Sequence, residues 1–148
     1  MNGIKGILII GLVLVACGQA PEPLMPLSKD TPNTVTLSTG EVVYKLNGQW
    51  DLIFAPDLFD EQSDTVTITQ TGKFFIGKYN TGTQYLAAGA DTIKGELVKN
   101  GFKAVYVNTS HGGWRPATGK ISKGCNTITA HTKVQGNNIN LTLTRKAL

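Results

Sequence analysis

The stretch TIKGELVKNGFKAVYVN, residues 92–108, decides the fold. Its two arms, 92–98 and 102–108, are rich in β-branched and aromatic residues, which suit a pleated, half-buried surface. Between them Asn100-Gly101, flanked by Val98 and Phe102, is a strong hairpin signal, because both residues tolerate the positive φ of a tight turn. The same pattern repeats outward from this hairpin. Turn signals stand at Thr39-Gly40, Asn47-Gly48, Thr71-Gly72, Thr81-Gly82, Gly112-Gly113, Lys123-Gly124 and Gly136-Asn137-Asn138. They delimit eight predicted strands over residues 48–54, 65–70, 73–80, 92–98, 102–108, 117–122, 127–133 and 138–146. Strict alternation places Val66 and Ile68 on one face, and likewise Ile139, Leu141 and Leu143. No segment has a helical period of useful length. Short connections imply sequential hairpins, and such a meander best buries its edges by closing on itself. The expected fold is therefore all-β, an eight-stranded antiparallel meander barrel, with a two-sheet sandwich as the alternative. Glycines inside strands (Gly77, Gly95, Gly119) suit the sharp bends of a narrow barrel.

Composition agrees. The 148 residues are 41% hydrophobic and only 16% charged, which describes a globular chain rather than a disordered one. The net charge of +4 is unevenly spread. Residues 17–64 carry eight acidic side chains against two basic ones; from Thr65 onward there are eleven Lys or Arg against two acids. Such asymmetry points either to a solvated surface or to an anionic partner such as lipid headgroups or acidic glycans. Nucleic acid is not expected as a partner of an exported chain.

Export is read from residues 1–16, expected to be a signal peptide. Lys5 precedes an apolar run from Ile7 to Val15, too short to span a bilayer. The run ends in Leu14-Val15-Ala16-Cys17, which resembles the bacterial lipobox. That resemblance implies cleavage before Cys17 and acyl chains of the palmitate type on its thiol. The partner so implied is the membrane, reached through the lipid anchor. Gly18 replaces the aspartate that marks inner-membrane retention, so the expected location in a two-membrane bacterium is the outer membrane, facing the periplasm. Residues 17–34 then form a Pro-rich tether, with prolines at 21, 23, 26 and 32, and residues 35–148 the barrel domain.

Leu46-Asn47-Gly48-Gln49-Trp50 resembles the G-x-W element that opens the first strand of lipocalins and avidins, the calycin barrels. In that family a basic residue near the end of the last strand covers the tryptophan. Arg145 has the parity of Ile139, Leu141 and Leu143 and would reach Trp50 in a closed meander. Gly77-Lys78-Tyr79 is similar to an avidin G-x-Y. The ligand tryptophans of avidins have no counterpart, since only Trp50 and Trp114 exist, so biotin binding is not implied. The L-x-G-x-W start and Gly113-Trp114-Arg115-Pro116 also resemble periplasmic metalloprotease inhibitors, whose barrel disulfide this chain cannot form within its body.

Reactive chemistry is sparse. With Cys17 lipidated, Cys125 is alone, and a small buried apolar role suits it. His111 and His131 have no partner at zinc-ligand spacing, and no G-x-S-x-G nucleophile elbow is present, so no metal, cofactor or catalytic residue is assigned. Asp57, Asp60, Glu61 and Asp64 read as a solvated acidic loop, with calcium as the sharper alternative. The expected binding surface joins His111, Trp114 and Arg115 of the 110–116 loop with Tyr79 and Tyr106, and with Tyr85 nearby. Small inward positions (Gly95, Ala104, Ala117, Gly119, Ala130) and large ones (Trp50, Phe54, Ile93, Leu141, Leu143) predict a barrel filled at one end. A partial pocket should then remain near Trp114, rimmed by Arg115. The expected function is a non-enzymatic binding or structural module of the cell envelope, taking a small apolar ligand, a lipid or an envelope protein. The alternative is a proteinaceous inhibitor of a protease or other envelope enzyme.

Overall fold

The computed structural model describes residues 33–110 and 113–147; residues 1–16, Cys17, the tether up to residue 32 and His111 lie outside them. Ten strands follow one another: β1 (Thr34–Thr36), β2 (Val42–Tyr44), β3 (Gly48–Pro56), β4 (Gln62–Thr71), β5 (Phe74–Tyr79), β6 (Asp91–Val98), β7 (Gly101–Thr109), β8 (Gly113–Ile121), β9 (Thr127–Val134) and β10 (Asn137–Arg145). Strands β3 to β10 form a closed antiparallel barrel in sequential order, with β10 returning to pair with β3. The protein is thus an all-β, eight-stranded meander barrel, and every strand edge of the sequence-predicted sheet has a neighbour.

The alternating pattern fills the interior. Trp50 and Leu52, Val66 and Ile68, Ile93 and Leu97, Val105 and Val107, Ile128 and Ala130, and Leu141 and Leu143 are all buried. Two strand glycines admit the larger residues. A Cβ on Gly77 would meet Val66 Cγ1 at 2.9 Å, and one on Gly119 would meet Phe102 Cδ2 and Val105 Cγ1, both at 2.9 Å.

Three local features differ from the sequence reading. First, Thr34–Thr36 and Val42–Tyr44 pair as a separate hairpin, so Thr34, the last residue of the expected tether, belongs to a ladder. Beyond Pro32 no proline interrupts this ladder, and each residue has an amide to donate. Second, the β6–β7 turn lies over Lys99-Asn100, with Val98 paired to Gly101, one residue earlier than the Asn100-Gly101 signal suggests. Third, Ala104 faces outward. A register shift between Glu96 and Leu97 pairs Leu97 with Phe102 but Glu96 with Ala104. The extra residue in β7 inverts the parity that simple alternation assumes, so Phe102 and Val105, rather than Ala104, point inward.

The lower end, formed by the β4–β5, β6–β7 and β8–β9 turns, is sealed. The segment leading from β2 into β3 buries Val43 and Leu46 completely. Gln70 fixes that segment: its Oε1 accepts from the Leu46 amide at 2.6 Å and its Nε2 donates to the Tyr44 carbonyl at 3.0 Å. Trp50 Nε1 donates to the Leu46 carbonyl at 3.0 Å. Arg145 lies across the same indole, its Cζ 4.3 Å from the ring centroid. It donates to the carbonyls of Cys125 (3.0 Å), Asn47 (3.1 Å) and Lys45 (2.7 Å). One side chain therefore ties the end of β10 to the segment before β3 and to the β8–β9 turn.

Candidate functional site

Among the described residues the upper end leaves a cavity uncovered. Near it β8 pairs with β7 from Gly113 to Ala117 but with β9 only from Thr118 to Ile121. Pro116 has no amide to donate, so the β8–β9 ladder stops below it. The Pro116 carbonyl is instead taken by the Thr132 hydroxyl at 2.7 Å. Above that point β7 and β9 end beside a cavity of about 180 Å³.

Phe54 and Ile139 form its floor, Thr109 and Val134 its walls, and Pro56, Leu58, Phe59 and Tyr85 its lip, with Ser110, Gln135 and Asn137 as the polar margin. Leu58 and Phe59 are 64% and 53% exposed, unusual for such large apolar side chains side by side. Phe59 leans on Tyr85, ring centroids 5.5 Å apart and tilted by 56°.

Two carboxylates hold the lip loops. Asp57 Oδ2 accepts from the Asn138 amide (3.0 Å) and from its side-chain Nδ2 (2.7 Å). Asp64 accepts from the Thr81 hydroxyl and from the Gly82 amide at 2.8 Å, anchoring the 80–90 loop that carries Tyr85. Partial burial pushes the Asp64 carboxyl up, but hydrogen bonds from the Thr81 hydroxyl and the Gly82, Thr65 and Thr81 amides outweigh it and hold the group below its ordinary value. Among the described residues no three His, Cys, Asp or Glu side chains gather as metal ligands.

The residues expected to form the binding surface separate. Tyr79 is buried inside the barrel, where desolvation pushes its phenol up. Tyr106 faces outward, paired with Lys94 and Pro116 and 37% exposed. Trp114 is also on the outer wall, with Lys94 Nζ 4.1 Å from its ring centroid, and neither it nor Tyr106 lines the cavity. Arg115 pairs with Val107 and so has inward parity, yet its side chain is exposed and is not part of the lining. Residues 113–116, expected in a loop, belong to β8, and of the stretch 110–116 Ser110 lines the cavity. His111 lies outside the described residues. The sequence reading passed over Leu58 and Phe59. Their signal was two large apolar residues set within Asp57-Leu58-Phe59-Asp60-Glu61, where a solvated acidic loop needs neither.

His131 projects outward and bonds Asn140 Oδ1 through Nδ1 at 2.9 Å. Cys125 is fully buried at the lower seal, 3.3 Å from Arg145 Nη2. Burial pushes its thiol up and Arg145 opposes this only in part, so the group stays protonated at neutral pH.

No model of a known protein family matches the chain. A comparison with curated proteins also finds no match.

Proposed function

We propose that this protein is a lipid-anchored envelope protein whose barrel mouth binds a small apolar ligand without catalysis. The observation that carries the reading is the open apolar cavity above a packed base. A cavity of about 180 Å³ has room for a single ring or the end of an acyl chain. The residues of its floor and walls carry no charged group, and the exposed Leu58 and Phe59, with the half-buried Tyr85 beside them, extend the apolar surface beyond the rim. A ring-sized ligand losing about 150 Å² of apolar surface gains about 4 kcal/mol, which the cost of association of about 4 kcal/mol or more offsets, so useful affinity needs the lip as well. Calycin membership belongs to the same proposal, supported by the G-x-W start and the Arg145 guanidinium over Trp50. So does acylation of Cys17, supported by the lipobox-like sequence, with the outer membrane as the site.

The inhibitor reading keeps one specific support: Leu58 and Phe59 protrude from a loop held at its base by Asp57 and Asp64, a shape that could enter a partner's cleft. Titration with the neutral apolar dye N-phenyl-1-naphthylamine, its phenyl ring in the cavity and its naphthyl group on the lip, separates the two. Saturable binding is expected, weakened by Tyr85→Ala and abolished by Val134→Phe, which fills the wall, while Trp114→Ala leaves it unchanged. Binding that does not saturate, or that ignores Val134→Phe, refutes the ligand reading. The anchor is tested by Cys17→Ser, which should leave the chain uncut and without lipid.

A further inference from the structure

Unpaired charge is spread unevenly along the barrel axis. Lys45, Lys99, Lys120 and Lys123 stand at the sealed lower end, all exposed. Among the described residues none of these four has an ion pair, whereas the other basal lysines pair with Glu96 and Asp51. The opposite end carries Asp57, Asp60 and Glu61 around the cavity lip, partly offset by the exposed Arg115 and Lys133. The chain enters the domain at the cationic end. The Asn33 carbonyl accepts from the Lys45 amide at 2.6 Å, and the Lys45 carbonyl in turn accepts from Arg145.

We propose that the sealed base is a docking surface for an anionic lipid bilayer, on which the barrel stands with its cavity mouth turned away from the membrane. Lys99 and Lys123 on turns, Lys45 in the segment before β3 and Lys120 near the end of β8 share this end of the barrel, and a negative surface potential attracts each of them. The mouth is the wrong end for such a surface. Its apolar lip sits among three carboxylates of one five-residue loop, which an anionic leaflet repels. The sixteen residues from Cys17 to Pro32 reach at most about 55 Å, so an anchor at Cys17 would keep the base near the bilayer long enough for weak contacts to act. The charge argument holds with or without that anchor.

The test uses the purified mature chain with vesicles of phosphatidylcholine alone and with equimolar phosphatidylcholine and phosphatidylglycerol. The readout is the rate at which each lysine is acylated by an amine reagent, followed by mass spectrometry. On the anionic vesicles at low salt, Lys45, Lys99 and Lys123 should react about fivefold more slowly, the change expected for roughly one headgroup contact each. High salt should restore them, and Lys133 near the mouth should be unaffected throughout. The double variant Lys99→Gln, Lys123→Gln should lose the protection of Lys45. A chain without lipid would stay in solution with neutral vesicles, which counts against the anchor, yet would still show basal protection on anionic ones. Equal lysine reactivity on both vesicles overturns the proposal. So does protection of Lys133 in place of the base, or equal protection by a soluble acidic polysaccharide without any bilayer.

Discussion

Replacing Arg145 by alanine should be among the most damaging single changes outside the apolar core. The side chain lies over Trp50 with its Cζ 4.3 Å from the ring centroid, a contact that contributes about 1 kcal/mol when partly desolvated. It also donates to the backbone carbonyls of Cys125, Asn47 and Lys45. Charge-assisted hydrogen bonds contribute about 1.5–3 kcal/mol each when buried, but here the side chain is partly exposed and water can replace part of the loss. About 2 kcal/mol for the three together is a suitable discount, giving about 3 kcal/mol in all. For a barrel of this length that corresponds to a fall in Tm of about 12 °C. Urea unfolding followed by tryptophan fluorescence measures it. Arg145→Met keeps the apolar stem over the indole but loses every donor, and should fall between wild type and alanine. If Arg145→Ala loses less than about 1 kcal/mol, the stated cation–π term alone would account for it, and the three-way tie at the base is not what holds the barrel end closed.

Two further outcomes test the geometry. Gly95→Ala should destabilise by about 3 kcal/mol, because its Cβ would run into the Ala104 carbonyl oxygen and stand 2.8 Å from Phe75 Cε1; Gly40→Ala, with φ +81° and open space around it, should lose only about 1 kcal/mol in the same urea assay. Acid should loosen the lip before the barrel. The Asp64 carboxyl is held below its ordinary value, so its contribution is complete above that value and is lost as pH falls through the depressed one. Hydrogen exchange in the 80–90 loop should therefore rise below about pH 4, and Asp64→Asn should remove that step.

Much of the architecture follows from the chain alone, because a period of two and a turn residue every few positions are local properties. Val66 and Ile68, or Ile139, Leu141 and Leu143, are assigned to the interior without knowing their neighbours. The contact between Arg145 and Trp50 is also legible, since a closed meander brings the end of its last strand beside the start of its first. The Lys–Asp asymmetry is visible as a count along the sequence, but its direction along the barrel axis is not.

What only the tertiary structure decided depends on how neighbouring strands meet. Ala104 turns outward because one extra residue in β7 faces the bulge at Glu96–Leu97, and no pattern within β7 announces a partner's register. The cavity joins Phe54 of β3, Thr109 of β7, Val134 of β9 and Ile139 of β10, residues far apart in sequence that only closure of the barrel brings together. Its lip joins Phe59 and Tyr85 from two loops whose meeting is set by Asp64 and Thr81, seventeen residues apart. Trp114 and Tyr106 have the chemistry of a binding site, yet their strand parity turns them to the outer wall, where Lys94 covers the indole. Residue type is a property of the chain; which face of the closed sheet it reaches is a property of the register, and register is settled between strands.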